Sequence, residues 1–271
     1  MDGMGMTQPP LLSVVIPVLN EAPRLPMLLA DLARWSAPLE ILVIDGGSHD
    51  ATPLIGVLGG ATVRTSTSRG RGQQLQLGCR LAHGRWLLVL HADSRLTPTW
   101  GQKVAALIQR PGARHQAWYF DFRVDAPGPM LRCLESAVFV RSAVLQRPYG
   151  DQGLLIHRNR LAEVGGYRSL ALMEDLDLVQ RLSRLGRLRR IGQPLITSAR
   201  RWRKRGVLRN AWCNFQLRRR WARGEDSAEL ARHYAAQATS SSTRTHSGVV
   251  AVRVPSPDAD RSSRHPDQQT N

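Results

Sequence analysis

Cysteine and lysine are both scarce in this chain. Cys79, Cys133 and Cys213 are the only thiols among 271 residues, and their wide spacing excludes a disulfide framework or a metal knuckle. None is needed, because a chain of this length buries about 75% of the surface that its unfolded form exposes. Long apolar runs are missing too. The longest, Leu11 to Leu19 and Trp86 to Leu90, are strand-sized and fall short of the ~18 residues of a spanning helix. The start, with Asp2 and no basic-then-apolar segment, does not read as a signal peptide. These absences predict a cytoplasmic protein, soluble or surface-associated. A composition of 42% hydrophobic and 22% charged residues excludes disordered and fibrous classes.

Lysine appears only as Lys103 and Lys204, so arginine carries most of the 38 basic residues, which face 21 acidic ones for a net charge of +17. Such a field attracts polyanions: nucleic acid, phosphorylated small molecules or an anionic membrane face. Genome base composition explains the bulk arginine equally well, so distribution says more than the total. Arg200 to Arg223 holds ten Arg or Lys and no acidic residue. The carboxylates instead gather beside apolar runs.

The apolar periodicity predicts alternating strands and helices. Leu11 to Leu19 and Leu39 to Asp45 are near-continuous β-branched runs of the kind that doubly covered parallel strands show. Thr62 to Ser66 and Arg85 to Leu90 complete four strands. Between them, Glu21 to Trp35 and Gln73 to His83 have helical spacing, and Asp50 and Thr52 are candidate caps for a short helix. This order predicts right-handed βαβ units around a mostly parallel sheet, an α/β fold. Further on, Trp118 to Val124 alternates as a half-buried strand with Tyr119, Asp121 and Arg123 outward. Gly128 to Leu145, Asn159 to Val164, Met173 to Leu185, Gly206 to Ala222 and Asp226 to Tyr234 read as helices, and Gly153 to His157, Leu188 to Ile191 and Leu195 to Ser198 as strands. From Ala238 the periodicity is lost and a disordered tail is expected.

Asn20, Glu21, Asp45 and Asp93 each sit just past an apolar strand or at a helix mouth. In an open α/β sheet the ligand crevice lies outside the carboxyl ends of the strands. Each residue alone is equally a cap or a turn former; together they point to a pocket. Glu174 and Asp175 at a helix start can complement the helix dipole or supply a base. Asp151 and Gln152 occupy a Gly-flanked turn.

Val14-Val-Ile-Pro-Val-Leu-Asn20-Glu21, Leu42-Val-Ile-Asp45-Gly-Gly-Ser48, His83 to Asp93 and Met173-Glu-Asp175-Leu-Asp-Leu178 resemble the family 2 (GT-A fold) glycosyltransferases over roughly Leu12 to Arg220. Gly70-Arg-Gly-Gln73-Gln, His91-Ala-Asp-Ser-Arg95, Gly150-Asp-Gln152, Leu172-Met-Glu-Asp175 and Thr197-Ser-x-Arg200-Arg-Trp202 resemble the radical-SAM/selenodomain-associated subgroup. The resemblance implies a GT-A sheet in one domain. Residues 1–10 would be a leader, 11–95 the nucleotide-sugar half, 96–236 the acceptor and catalytic half with basic helices, and 237–271 the tail.

It also implies roles. Pro17, Asn20 and Glu21 would approach the nucleotide, and Asp45, with Gly47 beside it, would accept from uracil N3–H. Arg69 and Arg71, flanked by Gly70 and Gly72, would face the diphosphate or form a plain basic loop, and Gln73 would lie at the nucleotide. Asp93 matches the last position of the family's Asp-x-Asp motif and would hold Mg2+ or Mn2+. His91 stands where that motif has its first acidic residue; it can be a metal ligand, a diphosphate donor or a packed side chain, and imidazole suits Mg2+ poorly. Ala92, Asp151, Gln152, Arg200, Arg201 and Trp202 would lie near donor or acceptor. Asp175 aligns with the general base of an inverting, hexosyltransferase-like transfer, Glu174 beside it, with Asp177 a solvated neighbour.

The implied partners are a nucleotide-sugar donor, probed first as a UDP-sugar, and an acceptor hydroxyl that can be lipid-linked; no specific nucleic-acid motif is visible. Val207, Leu208, Ala211, Trp212 and Phe215 share one face of the Gly206 to Arg223 helix, either packed on the domain or lying in an anionic membrane interface. Two rival readings are a polyanion binder and a non-catalytic nucleotide-sugar binder.

Overall fold

The computed structural model describes residues 10–68 and 70–240, with the side chains of Arg201, Lys204, Arg205 and 237–240 set aside. The expected leader, Pro10 apart, and residues 241–271 of the expected tail lie outside the described residues.

Four strands form the parallel half of an eight-stranded sheet: β1 (Leu12–Val18), β2 (Leu39–Asp45), β3 (Thr62–Thr65) and β4 (Trp86–Val89), in the order β3-β2-β1-β4. Helices α1 (Leu25–Leu32), α2 (Thr52–Leu58) and α3 (Arg71–Leu81) make the crossovers. Every residue of β1 is buried because both of its faces are covered. Leu12, Val14, Ile16 and Val18 join Leu25, Leu28 and Leu32 of α1 in one core, and Val15 joins Leu42, Ile44 and Leu75 of α3 in a second. Full burial of each such side chain contributes about 1.5–3 kcal/mol. The α3 helix rides close to the sheet at Gly78, where an added Cβ would lie 2.4 Å from Val15 Cγ1.

The chain then continues through β5 (Ser94–Leu96), α4 (Trp100–Ile108), β6 (Ala117–Val124), α5 (Pro129–Ala143), β7 (Leu154–His157), α6 (Arg158–Glu163), α7 (Glu174–Leu185), β8 (Arg189–Thr197), α8 (Arg200–Arg205), α9 (Val207–Ala222) and α10 (Ser227–Ser240). The β7 strand pairs antiparallel with β4 and with β6, β8 runs parallel to β6, and β5 pairs antiparallel with β8 at the edge. Strand direction therefore reverses at β7, is restored in β6 and β8 and reverses again at the edge strand β5, and α5 with the helices after β7 builds a second lobe of the same domain.

Several expectations need correction. Tyr119 is 2% exposed and packs in the α3-side core, because β6 is covered on both faces. The two strands expected at Leu188 to Ile191 and Leu195 to Ser198 are ends of one strand, β8, whose register against β6 shifts between the pairs Tyr119–Arg190 and Asp121–Pro194, with Gly192 in the interval. Gly192 takes the left-handed conformation at φ 74°, so a β-bulge absorbs what looked like a break. The β5, α4 and α8 elements were not anticipated. Helix α10 runs to Ser240, past the expected start of the tail. Asp177 is not solvated: it is 7% exposed and pairs with Arg168 at 3.1 Å and Arg181 at 2.6 Å.

Candidate active site

The carboxyl ends of β1, β2 and β4 open onto a cleft of about 570 Å³, within the size range in which small-molecule ligands are enclosed. It is lined by Pro17, Asn20, Glu21, Gly47, Gln74, His91, Ala92, Asp93 and Arg200 among others, and by Arg71. Its rim is laced together. Asn20 adopts a left-handed conformation at φ 54°, its side-chain oxygen accepts from the His49 N–H at 2.9 Å, and its own N–H donates to Ser48 Oγ at 2.8 Å. Asn tolerates that conformation better than most residues. The Glu21 N–H donates to Thr52 Oγ1 at 2.8 Å, and Asp50 accepts from the Ala22 and Thr52 N–H groups. Glu21 itself is held by Arg24 at 2.8 Å, with Arg200 4.0 Å away.

Asp45 works from beneath this rim. It is 3% exposed and accepts from the Gly47 and Ser48 N–H groups and from Ser48 Oγ at 2.6 Å, so its carboxylate shapes the Gly46–Ser48 turn and does not itself line the cleft. Gln74, not Gln73, reaches the cleft; its amide donates at 2.8 Å to the carbonyls of Val18 and of Ile44 and so ties two strand ends. Gln73 Oε1 is buried without a hydrogen-bond partner. Asp93 is half-buried and lines the cleft, with no hydrogen bond or ion pair to a described side chain. A carboxylate with no partner among the described side chains, on a cleft that His91 also lines, fits one corner of a divalent-cation site completed by phosphate oxygens.

A second chamber of about 480 Å³ adjoins the first, and Arg71 and His91 line both. At its base lies the start of α7, preceded by Met173 in the left-handed region at φ 68°. That conformation is uncommon for a side chain of this kind and marks a constrained turn. Glu174 is fully buried; one of its oxygens takes a hydrogen bond from Arg71 Nε, and the other has no partner. Burial pushes its carboxyl above the ordinary range, the Arg71 charge opposes this, and Asp175 adds to it. Asp175 accepts from the Gly150 N–H at 2.8 Å and from the Leu176 N–H at 2.7 Å, with Arg71 Nη2 at 3.6 Å. Burial alone would raise it, but Arg71, the two N–H donors and His91 together hold it below the usual carboxylate range. Arg71, partly buried, stays charged because both carboxylates stabilise it. Gly150 is required here: a Cβ would stand 2.8 Å from His91 Nε2 and 3.2 Å from Asp175 Oδ2.

Asp151 and Trp202 line this chamber. Gln152 does not; it is 1% exposed, accepts from Ser142 Oγ at 2.7 Å and Arg141 at 3.0 Å, and donates to the Phe120 carbonyl. It braces the turn that presents Gly150. Arg201 lies in α8 with its side chain outside the described residues, as is Arg69 altogether. Sequence reasoning missed Gln74, Tyr149, Arg141 and Arg218. Tyr149 directly precedes the Gly150 turn, which was the signal available for it; the two arginines were lost among many.

A mostly parallel sheet whose carboxyl rim faces a ligand cleft, interrupted by the antiparallel strand β7 and followed by an acidic helix start at α7, defines the class of sugar-nucleotide transferase folds of GT-A type. Residues 13–149 match Glycosyl transferase family 2, half of the chain, and the chain belongs to that family. A stretch of 96 residues is 35% identical to a PGL/p-HBAD biosynthesis glycosyltransferase of Mycobacterium tuberculosis, covering 32% of this chain and 37% of that protein, so the match spans little more than a third of the relative's length. Among solved structures, the mannosyltransferase PcManGT from Pyrobaculum calidifontis, in complex with GDP-Man and Mn2+, superposes with a TM-score of 0.57 at 21% identity over 79% of this chain and 61% of its own. S. aureus TarS in complex with UDP-GlcNAc gives 0.54 at 16% identity over 69% and 58%. Both share the fold.

Proposed function

We propose that the chain transfers a glycosyl group from a nucleotide-diphosphate sugar, a UDP-sugar in the first instance, to an acceptor hydroxyl with inversion at the anomeric carbon. The observation that carries this is Arg71, which borders both cavities and ties Glu174 and Asp175 together between them. In this reading the donor lies in the cleft over the β1 and β2 ends, with its diphosphate toward Arg71 and Arg200. The acceptor oxygen attacks the anomeric carbon as its proton passes to Asp175, and the bond from that carbon to the diphosphate oxygen breaks. Asp175 suits the task because its carboxyl is held ionised, and a positioned base of this kind contributes about 10²–10⁴-fold. Arg71 positions it. Asp93, with His91 beside it, would hold Mg2+ or Mn2+, which supplies charge stabilisation to the leaving diphosphate. Family 2 membership and the nucleotide-sugar and Mn2+ complexes of fold neighbours support the donor class and the metal. The narrower subgroup rests on the motif string alone.

Nucleotide release from UDP-glucose and UDP-GlcNAc with Mn2+ tests the reading in wild type, Asp175→Asn and Asp93→Ala. Turnover is expected in the wild type and about 10²–10⁴-fold less in Asp175→Asn, with UDP still bound. A binder without activity releases nothing in any of the three.

The same helices suggest where the acceptor comes from. On α9, Leu208, Trp212 and Phe215 are exposed at 70%, 61% and 41%, with Arg209, Arg219 and Arg223 around them, whereas Asn210 and Leu217 face the domain. The expected stripe divides: Val207 packs on the domain and Ala211 lines the chamber, while Leu208, Trp212 and Phe215 are exposed. We read the exposed part as a contact for an anionic membrane face, which would suit a lipid-linked acceptor. Among the described residues, no helix is long and apolar enough to cross a membrane.

A further inference from the structure

The chamber beside Asp175 has a polarity of its own. Leu134 and Val138 of α5, Leu217 of α9, Leu172 and Trp202 give it an apolar wall. At the end formed by Tyr149, two guanidiniums converge on one ring: Arg141 lies 3.8 Å from the Tyr149 centroid and Arg218 lies 5.5 Å from it. Both arginines and Tyr149 line this chamber and none of them lines the donor-side cleft. The Arg141 Nε–H is buried without a hydrogen-bond partner, and Arg218 forms no ion pair with a described side chain. Arg71, Arg141 and Arg218 line the chamber with Asp151 and Asp175; Arg71 is taken up by Glu174 and Asp175, which leaves Arg141 and Arg218 with Asp151, and Asp151 acts on Arg218. Burial, together with Arg141 and Arg147, works against the charge on Arg218. Like charges gathered in a half-enclosed apolar space are costly until a counter-charge arrives. Guanidiniums are the donors best matched to a carboxylate or phosphate.

We propose that this chamber takes an acceptor of one chemical class: an organic anion with an apolar body and a free hydroxyl. Its carboxylate or phosphate seats between Arg141 and Arg218, its body lies on the Leu134–Val138–Leu217 wall, and its hydroxyl reaches Asp175. The proposal rests on the transferase reading for the role of the hydroxyl, and its anion site stands without it.

The test uses matched short amphiphiles on the full chain. Hexyl phosphate, hexanoate and 1-hexanol are titrated calorimetrically, each without and with saturating UDP and Mn2+. The wild type is expected to bind one or both anions at least tenfold more tightly than hexanol, and the tighter of the two identifies the anion. Arg218→Gln should weaken the preferred anion about tenfold, near 1.4 kcal/mol, and leave hexanol and UDP affinities about as they were. Ala211→Trp, on the chamber wall, should reduce binding of all three amphiphiles and spare UDP. Equal affinity for the anions and hexanol in the wild type overturns the proposal, whatever the variants do. So does an Arg218→Gln chain that folds and loses UDP as strongly as hexyl phosphate, since Arg218 would then serve the donor. Anion binding without any UDP binding would sink the transferase reading and leave the anion site intact; UDP binding without anion preference does the reverse.

Discussion

Arg71 answers to two carboxylates whose acidities move in opposite directions, and that asymmetry can be read in solution. Glu174 is fully buried and pushed up; Asp175 is only partly buried, its burial also works against its charge, and Arg71, two N–H donors and His91 bring it below its ordinary value. Because the depressed group is the proposed base, its active, ionised form persists as the pH drops and is lost only when the pH falls through its lowered value. The acid limb of kcat/KM should therefore lie below the usual carboxylate range. In Arg71→Gln the lowering contribution is gone, so the limb should move to higher pH, with kcat reduced; a limb that stays in place would separate Arg71 from the acidity of Asp175. The residue types at this site were legible in the sequence, since Glu174, Asp175, Asp93 and Arg71 all stand at strand or helix ends. Which way each side chain turns was not. Asp45 and Gln152 carry the same polar chemistry yet turn inward to satisfy backbone and side-chain donors, and only the folded neighbours decide that.

Helix α3 brings Arg71 to the site, and its seat depends on a glycine. A Cβ on Gly72 would stand 2.4 Å from the Leu170 carbonyl oxygen, 2.8 Å from that of Arg168 and 2.9 Å from the Leu170 nitrogen. All three are backbone atoms, so no rotamer change relieves the contact. Gly72→Ala should cost about 1–3 kcal/mol, seen as a lower midpoint in thermal unfolding, and should lower activity as Arg71 is displaced. Gly150→Ala meets side chains instead, His91 and Asp175, so its effect should fall on turnover with a smaller change in midpoint. The parallel half could be read from its β-branched runs because both faces of those strands are buried and the pattern is unbroken. The α4 helix carried a comparable signal, with buried Trp100, Val104, Leu107 and Ile108 on one face, and was overlooked. The β8 strand could not be read as one element, because Gly192 and Pro194 break its alternation and the bulge depends on a partner strand about seventy residues earlier in the chain.

At the scale of the whole molecule, the net charge of +17 and the outward stripe on α9 act together. Vesicles containing anionic lipid should sediment with the protein at low salt, and neutral vesicles should do so weakly. Added salt should release much of the bound protein as the Debye length shrinks from about 10 Å at 0.1 M to about 3 Å at 1 M. Trp212→Ser with Phe215→Ser should reduce binding while sparing turnover on a water-dissolved acceptor; equal sedimentation of this double variant and the wild type would remove α9 from the contact. The sheet order has a different reach. Ser94 pairs with Thr197, and Val124 pairs with the same residue from the other side, so β8 is the strip that joins the edge to the rest of the sheet. A ribosome releasing this polypeptide must therefore emit nearly two hundred residues before the second lobe can close. Both cavities wait on late residues, Arg200 for the first and Trp202, Leu217 and Arg218 for the second, so on the proposed reading no half-made chain should be able to spend activated sugar.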